Sequence, residues 1–149
     1  MTAITNTSQL STFSVIRSVL RTNPTIAAKF PVGNFYEFEP KHKSQSFRGF
    51  PYIIISIPNT DDVDEYLGDI TTNREFNCEI IMRMEYEARD NLSSYASNII
   101  KELDNSLSTF TSSGYYMKKV TFEGASTLTI DQKELVEARF TLILTGEVT

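Results

Sequence analysis

The chain has 149 residues, 40% of them hydrophobic, with ten Phe, seven Tyr, six Gly and five Pro. A chain of this length fits one domain that buries roughly 68 to 70% of the surface its unfolded form exposes, and the composition excludes a collagen-like or wholly disordered protein. Fourteen basic against nineteen acidic side chains leave a net charge of −5, so the positive field that phosphate neutralisation needs is missing and a dedicated DNA-binding role is disfavoured.

Cys78 stands alone, which excludes an intramolecular disulfide, and its place in an alternating apolar run predicts a small buried structural thiol. The first twenty residues are rich in Ser and Thr and lack the basic start and apolar block of a secretory signal. No apolar run is long enough to span a bilayer. The expectation is synthesis in the cytosol and no membrane partner.

From Thr7 to Arg21, Leu10, Phe13, Ile16 and Leu20 recur along one helical stripe, with Thr7 or Ser8 as the cap and Asn23-Pro24 as the stop. Asn34 to Glu39 reads as a short strand, and Pro40 to Gly49 as an exposed loop that carries Lys41, His42, Lys43 and Arg48. Pro51 and Pro58 bracket Tyr52-Ile53-Ile54-Ile55-Ser56-Ile57, a run without alternation that suits a central strand covered on both faces. A helix, a loop or another subunit could supply the second cover. Asn59 to Asn73 reads as an acidic loop, with room for a helical turn.

Arg74 to Tyr86 alternates almost strictly, with Phe76, Cys78, Ile80, Met82, Met84 and Tyr86 on one face and Glu75, Asn77, Glu79, Ile81, Arg83 and Glu85 on the other. Its length predicts a strand that projects beyond the sheet. Asp90 or Asn91 then caps a helix from Leu92 to Leu107 whose Leu92, Tyr95, Ala96, Ile99, Leu103 and Leu107 form the stripe facing the sheet. Ser112-Ser113-Gly114 closes it. Tyr116 to Glu123 and Leu135 to Thr145 make two more strands, the last with Val136, Ala138, Phe140, Leu142 and Leu144 on one side. The elements sum to an α+β fold: a two-layer sandwich of a mostly antiparallel sheet of about five strands with two amphipathic helices packed on one face. No repeat or second domain is visible, and residues 1–7 read as a flexible arm.

Chemistry is sparse. Asp61-Asp62-Val63-Asp64-Glu65 lacks the glycine and distal glutamate of a calcium loop and reads as a solvated acidic run. His42, the one histidine, has no Cys or second His nearby for a zinc site and reads as an exposed loop residue. No nucleophile elbow, phosphate-cradling loop or dinucleotide fingerprint occurs. Glu85 and Glu87 read as strand-exterior charges. The expectation is no catalytic, cofactor-binding or metal-ligating residue and no cofactor. What stands out is the opposition of two segments: +3 from Lys41, Lys43 and Arg48, against −5 from Asp61, Asp62, Asp64, Glu65 and Asp69. In a head-to-tail ring such patches become inter-subunit or tube contacts, although each exposed pair contributes less than about 1 kcal/mol.

The order helix, extended segment, Pro51-Tyr52-Ile53-Ile54-Ile55-Ser56-Ile57-Pro58, acidic segment, Arg74-Glu75-Phe76-Asn77-Cys78-Glu79-Ile80, helix and terminal strand pair resembles the tail terminator or tail completion proteins of tailed phages over nearly the whole chain. The resemblance implies a structural protein without turnover, forming a ring, usually a hexamer, at the head-proximal end of the tail. There it would stop tube polymerisation and join the tail to the capsid connector, with the tail tube protein and the head-tail connector protein as partners. The resemblance transfers no diagnostic functional residue. An acidic lumen would let DNA pass without specific binding. Two other readings fit the residues: a nonviral adaptor acting by strand addition to a sheet edge, and a small α+β ligand-binding domain.

Overall fold

The structure, a computed structural model, describes residues 9–65, 72–106, 110 and 115–148. The arm expected at 1–7, the caps Thr7 and Ser8, Asp69, Leu107 and 112–114 lie outside them. Helices α1 (Gln9–Leu20) and α2 (Pro24–Lys29) precede β1 (Phe35–Tyr36), β2 (Tyr52–Glu65) and β3 (Thr72–Glu85), followed by α3 (Leu92–Asn105), β4 (Tyr115–Ile130) and β5 (Lys133–Val148). The five strands form one sheet in the order β1-β2-β3-β5-β4, with β1 parallel to β2 and every other pair antiparallel. The fold is α+β. No helix among the described residues is long and apolar enough to cross a membrane.

The helical layer contains one element more than the two predicted amphipathic helices. Asn23-Pro24 ends α1 as expected, but it also starts α2: the Asn23 side-chain oxygen accepts from the backbone N–H groups of Thr25 (3.0 Å) and Ile26 (3.3 Å), and Pro24 occupies the first turn. Proline there wastes no hydrogen bond, and a cap of this kind contributes about 1 kcal/mol. The same Asn23 donates from Nδ2 to Asn98 Oδ1 on α3 at 3.2 Å. With its backbone N–H donating to the Leu20 carbonyl at 3.3 Å, one residue therefore joins the end of α1, the start of α2 and the middle of α3.

The core lies between these helices and one face of the sheet. Phe13, Ile16, Val19 and Leu20 of α1 and Tyr95, Ala96, Ile99 and Leu103 of α3 are buried against Phe76, Cys78, Ile80, Met82 and Met84 of β3 and Val136, Ala138, Phe140, Leu142 and Leu144 of β5. Both strand sets are the ones that period-two alternation selects. Phe30, just past α2, packs edge-to-face on Phe35 and Tyr95 with ring centroids 6.3 and 5.8 Å apart, an arrangement aromatic quadrupoles favour.

The strands are longer than their hydrophobic patterns. Asp61, Asp62, Asp64 and Glu65 do not form a loop or helical turn; they extend β2 and pair with Glu75, Arg74, Asn73 and Thr72 of β3. Ladder hydrogen bonding overrides the weak strand preference of aspartate. Pro58 falls in the register shift between Ser56 and Asn59, where its missing N–H costs least. At the far side of the sheet, β4 runs on past Glu123 because a two-residue turn at Asp131-Gln132, both with positive φ (51° and 67°), joins Ile130 directly to Lys133. That turn matches the right-handed twist of the flanking strands. A second irregularity, between Phe122 and Gly124, is accommodated by the positive φ of Gly124 (113°), which a side chain would resist. The expected strand from Asn34 to Glu39 shortens to Phe35–Tyr36.

Candidate functional site

The face of the sheet away from the helices is where the fold departs most from expectation. Tyr52, Ile54 and Ile81 point to this side and are buried, and Tyr36, Phe47 and Phe50 pack over them. The second cover of the central strand is therefore the chain's own segment 37–50, the one read as an exposed basic loop. His42, Phe47 and Phe50 turn inward while Phe38, Lys41, Lys43 and Arg48 remain exposed. His42 is not an exposed loop histidine. It lies half-buried, stacked on Phe47 at 4.6 Å between centroids, edge-on to Phe50 and Tyr52, with Nε2 2.8 Å from the Tyr52 hydroxyl. Burial pushes its pKa below the ordinary value, with the field of Asp131 opposing that shift.

Beneath this strap lies an alternating-charge ladder. Arg83 on β3 is 4% exposed and its register partner Glu137 on β5 is 6% exposed. Arg83 donates from Nε to Glu137 at 3.2 Å and from Nη1 to Glu39 of the strap and to the Tyr52 hydroxyl (3.4 Å). Glu137 also accepts from Arg139 Nε at 3.3 Å, and Arg139 Nη1 reaches Glu79 at 2.9 Å. Burial alone would weaken the Arg83 charge, but its hydrogen bonds to Tyr52 and Glu39 and their fields outweigh that, and its pKa ends above the ordinary value. Burial also raises the Tyr52 hydroxyl, against the Arg83 hydrogen bond. A buried cation held by a buried and a half-exposed carboxylate fixes the strap to the sheet.

Among the described residues the two charged sets do not meet within the chain. Lys41, Lys43 and Arg48 sit on the strap over the Tyr52 end of β2, whereas Asp61, Asp62, Asp64 and Glu65 lie at its other end, roughly 30 Å of extended chain away. Cys78 is buried in the core, where desolvation pushes its thiol up to about 12, so it presents no thiolate near neutral pH. Among the described residues no group of three or more His, Cys, Asp or Glu is placed to hold a metal ion. Open pockets among the described residues include one of about 220 Å³ beside Phe50 and Tyr95, one of about 290 Å³ near the turn of the β4–β5 hairpin, and one of about 310 Å³ between α3 and β4. None gathers the convergent polar groups of a small-molecule site.

No family model matches the chain, and no curated protein matches it in sequence. A solved structure titled as the virion of a native gene transfer agent particle contains a chain similar to this one, at 14% identity and a TM-score of 0.48, over 89% of this chain and 93% of that one.

The remaining surface of note is the pair of sheet edges. β1 flanks β2 only at Ile53 and Ile54, and among the described residues no strand flanks β2 from Asn59 to Glu65. On the opposite side, β4 has β5 as its sole strand neighbour among the described residues, from Tyr115 to Ile130. The stretch from Gly124 to Ile130 contains no charge and no proline, the devices that usually protect an edge. The β4 edge went unread in the sequence because its second half is polar and short of alternating apolar residues.

Proposed function

We propose that this protein is a structural component of a phage-like virion, assembling as a ring, hexameric by family resemblance, at the head-proximal end of the tail. There it ends tube polymerisation and joins the tail to the capsid connector. The observation that carries this reading is that, among the described residues, β4 and the 59–65 stretch of β2 each have a strand neighbour on one side alone. Long unpaired edges invite pairing with another chain, and one copy's β4 laid against the next copy's β2 is a head-to-tail contact that closes when its rotation divides the circle. The register brings the two edges near one another in charge: Tyr115 and Tyr116 of β4 share rows with Asp62 and Asp61 of β2, and Lys119 of β4 shares the row of Asn59, two residues from Asp61. The acidic stretch of one edge then lies within about two residues of a basic stretch of the other.

In this reading Lys41, Lys43 and Arg48 at one end of the sheet, and Asp64 and Glu65 toward the other, are contacts for the tail tube or connector, with Asp69 proposed as a further one. Duplex DNA passes the lumen without being retained at about 0.15 M salt, as the net charge of −5 favours. Native mass measurement and electron micrographs of the purified protein test the proposal: a homogeneous closed ring is expected, and a monomer at micromolar concentration overturns it. Particles from a mutant lacking the protein separate the two roles, since tails of uncontrolled length mean termination and normal unattached tails mean joining. The open β4 edge also fits an adaptor that accepts a foreign strand; that reading expects a monomer that binds an extended peptide.

A further inference from the structure

The two margins of the sheet change outline at one height. On the β2 side, Phe35 and Tyr36 of β1 pair with Ile53 and Ile54, and among the described residues no strand flanks β2 from 55 to 65. This margin therefore has a step one strand wide, about 4.8 Å. On the β4 side the ladder is interrupted between Phe122 and Gly124. Followed across the sheet, Phe122 shares a row with Phe140, Ile80 and Ile55, and Gly124 shares the next with Arg139, Ile81, Ile54 and Tyr36. The break in β4 falls at the height at which β1 ends. A bulge bends its strand, as an edge must that follows β2 and then clears β1.

Three further observations choose a second copy of this chain as the strand that β4 takes. The first is length. Residues 55–62 of β2 and 115–122 of β4 each set eight residues on rows that seven residues of β3, 74–80, span, because each strand carries one extra residue, β2 between Ser56 and Asn59 and β4 between Met117 and Lys119. The two edges are thus in step at both ends of this stretch. The second is direction. Three antiparallel pairings separate β2 from β4, so the two strands run oppositely, and a copy rotated about an axis along the strands presents its β4 antiparallel to β2. The third is Phe122, 46% exposed although its ring lies 5.3 Å from that of buried Phe140. Side by side, it comes opposite Ile55, which belongs to the same helix-facing row, and apolar cross-strand neighbours stabilise a sheet.

We infer that successive copies join by antiparallel pairing of one copy's β4 with the next copy's β2, the sheets standing level, with Tyr115, Tyr116 and Met117 opposite Asp62, Asp61 and Thr60 and with Phe122 opposite Ile55. This rests on the ring reading and fixes the direction and register of its subunit contact. Below Phe122, β4 passes outside the neighbour's β1 and stays unpaired.

Cysteine cross-linking of the full chain tests it, because Cys78 is buried and stays silent. With Asp61→Cys and Tyr116→Cys combined, mild oxidation should give a ladder of covalent multimers ending at the ring number, and neither single variant should pass a dimer. Asp61→Cys with Thr121→Cys, displaced by roughly 16 Å along β4, should give no ladder. Hydrogen exchange on the unmutated chain supplies a second reading. On passing from dilute chain to rings, amides within 60–62 and 115–117 should slow by about tenfold or more, while those of 125–130 keep their rates. If the wild type forms rings but the displaced pair gives the ladder, or if 60–62 and 115–117 exchange as they do in the dilute chain, the register is wrong and the ring reading stands. A wild type that stays monomeric removes both.

Discussion

Arg83→Met isolates the fastening of the strap. It leaves Glu137, 6% exposed, with Arg139 as its remaining described partner. Removing one member of a buried pair costs about 3 to 5 kcal/mol because the other charge stays desolvated. Arg139 is 42% exposed along its side chain and can swing further toward Glu137, which places the cost near the lower end, about 3 kcal/mol. The Glu39 contact adds little, since that carboxylate is 58% exposed and solvent screens it. For a chain of this size about 3 kcal/mol lowers Tm by roughly 6 to 12 °C. Urea unfolding followed by far-UV circular dichroism reads the change, at one fixed protein concentration because assembly stabilises by mass action. Combining Arg83→Met with Glu137→Leu should recover most of the loss, since a packed apolar pair replaces a buried ionic one at little cost. A single variant within about 1 kcal/mol of wild type, or a double variant whose loss is the sum of the singles, would refute the reasoning.

Three other outcomes follow from described geometry. Gln132→Gly should raise stability by up to about 1 kcal/mol, because glycine relieves the left-handed conformation at φ 67° at a smaller entropic cost; a lower urea midpoint would contradict the turn. The lowered pKa of His42 means that the folded state favours neutral imidazole. The unfolded chain then binds more protons as pH falls, so this stabilisation is complete above about pH 6.5 and is lost as pH drops through the folded value. His42→Asn should flatten the Tm profile between pH 7.5 and 5.5, and an unaltered profile would argue against the aromatic setting. Cys78 should resist a thiol reagent at pH 8 in the folded protein and react fully in denaturant; fast native labelling would place it elsewhere.

The helix-facing half of the fold is legible in the sequence because burial there imposes a simple period. Phe76 through Met84 and Val136 through Leu144 alternate, and Tyr95, Ala96, Ile99 and Leu103 recur at helical spacing. The other half is not, for physical reasons that differ by residue. Phe47 and Phe50 are interspersed among lysines and serines, so the mean polarity of the strap hides its inward side. Arg83 and Glu137 share the outward parity that marks solvent exposure, and only their cross-strand pairing shows that each neutralises the other out of water. That pairing is available to a reader who aligns the two alternating runs in antiparallel register, but the register itself depends on a turn at Asp131-Gln132 that carries no glycine. Asn23-Pro24 was ambiguous for a related reason: the dipeptide is equally a stop for the preceding helix and a start for the next.

The three-way bonding of Asn23 has a mechanical consequence. Because one residue, through its backbone N–H and its side-chain amide together, bridges two helix termini and the flank of a third, the helical layer is tied within itself rather than lying on the sheet as three separate rods. Asn98 of α3 is thereby linked to both shorter helices at one point, and α1 in turn packs against β2.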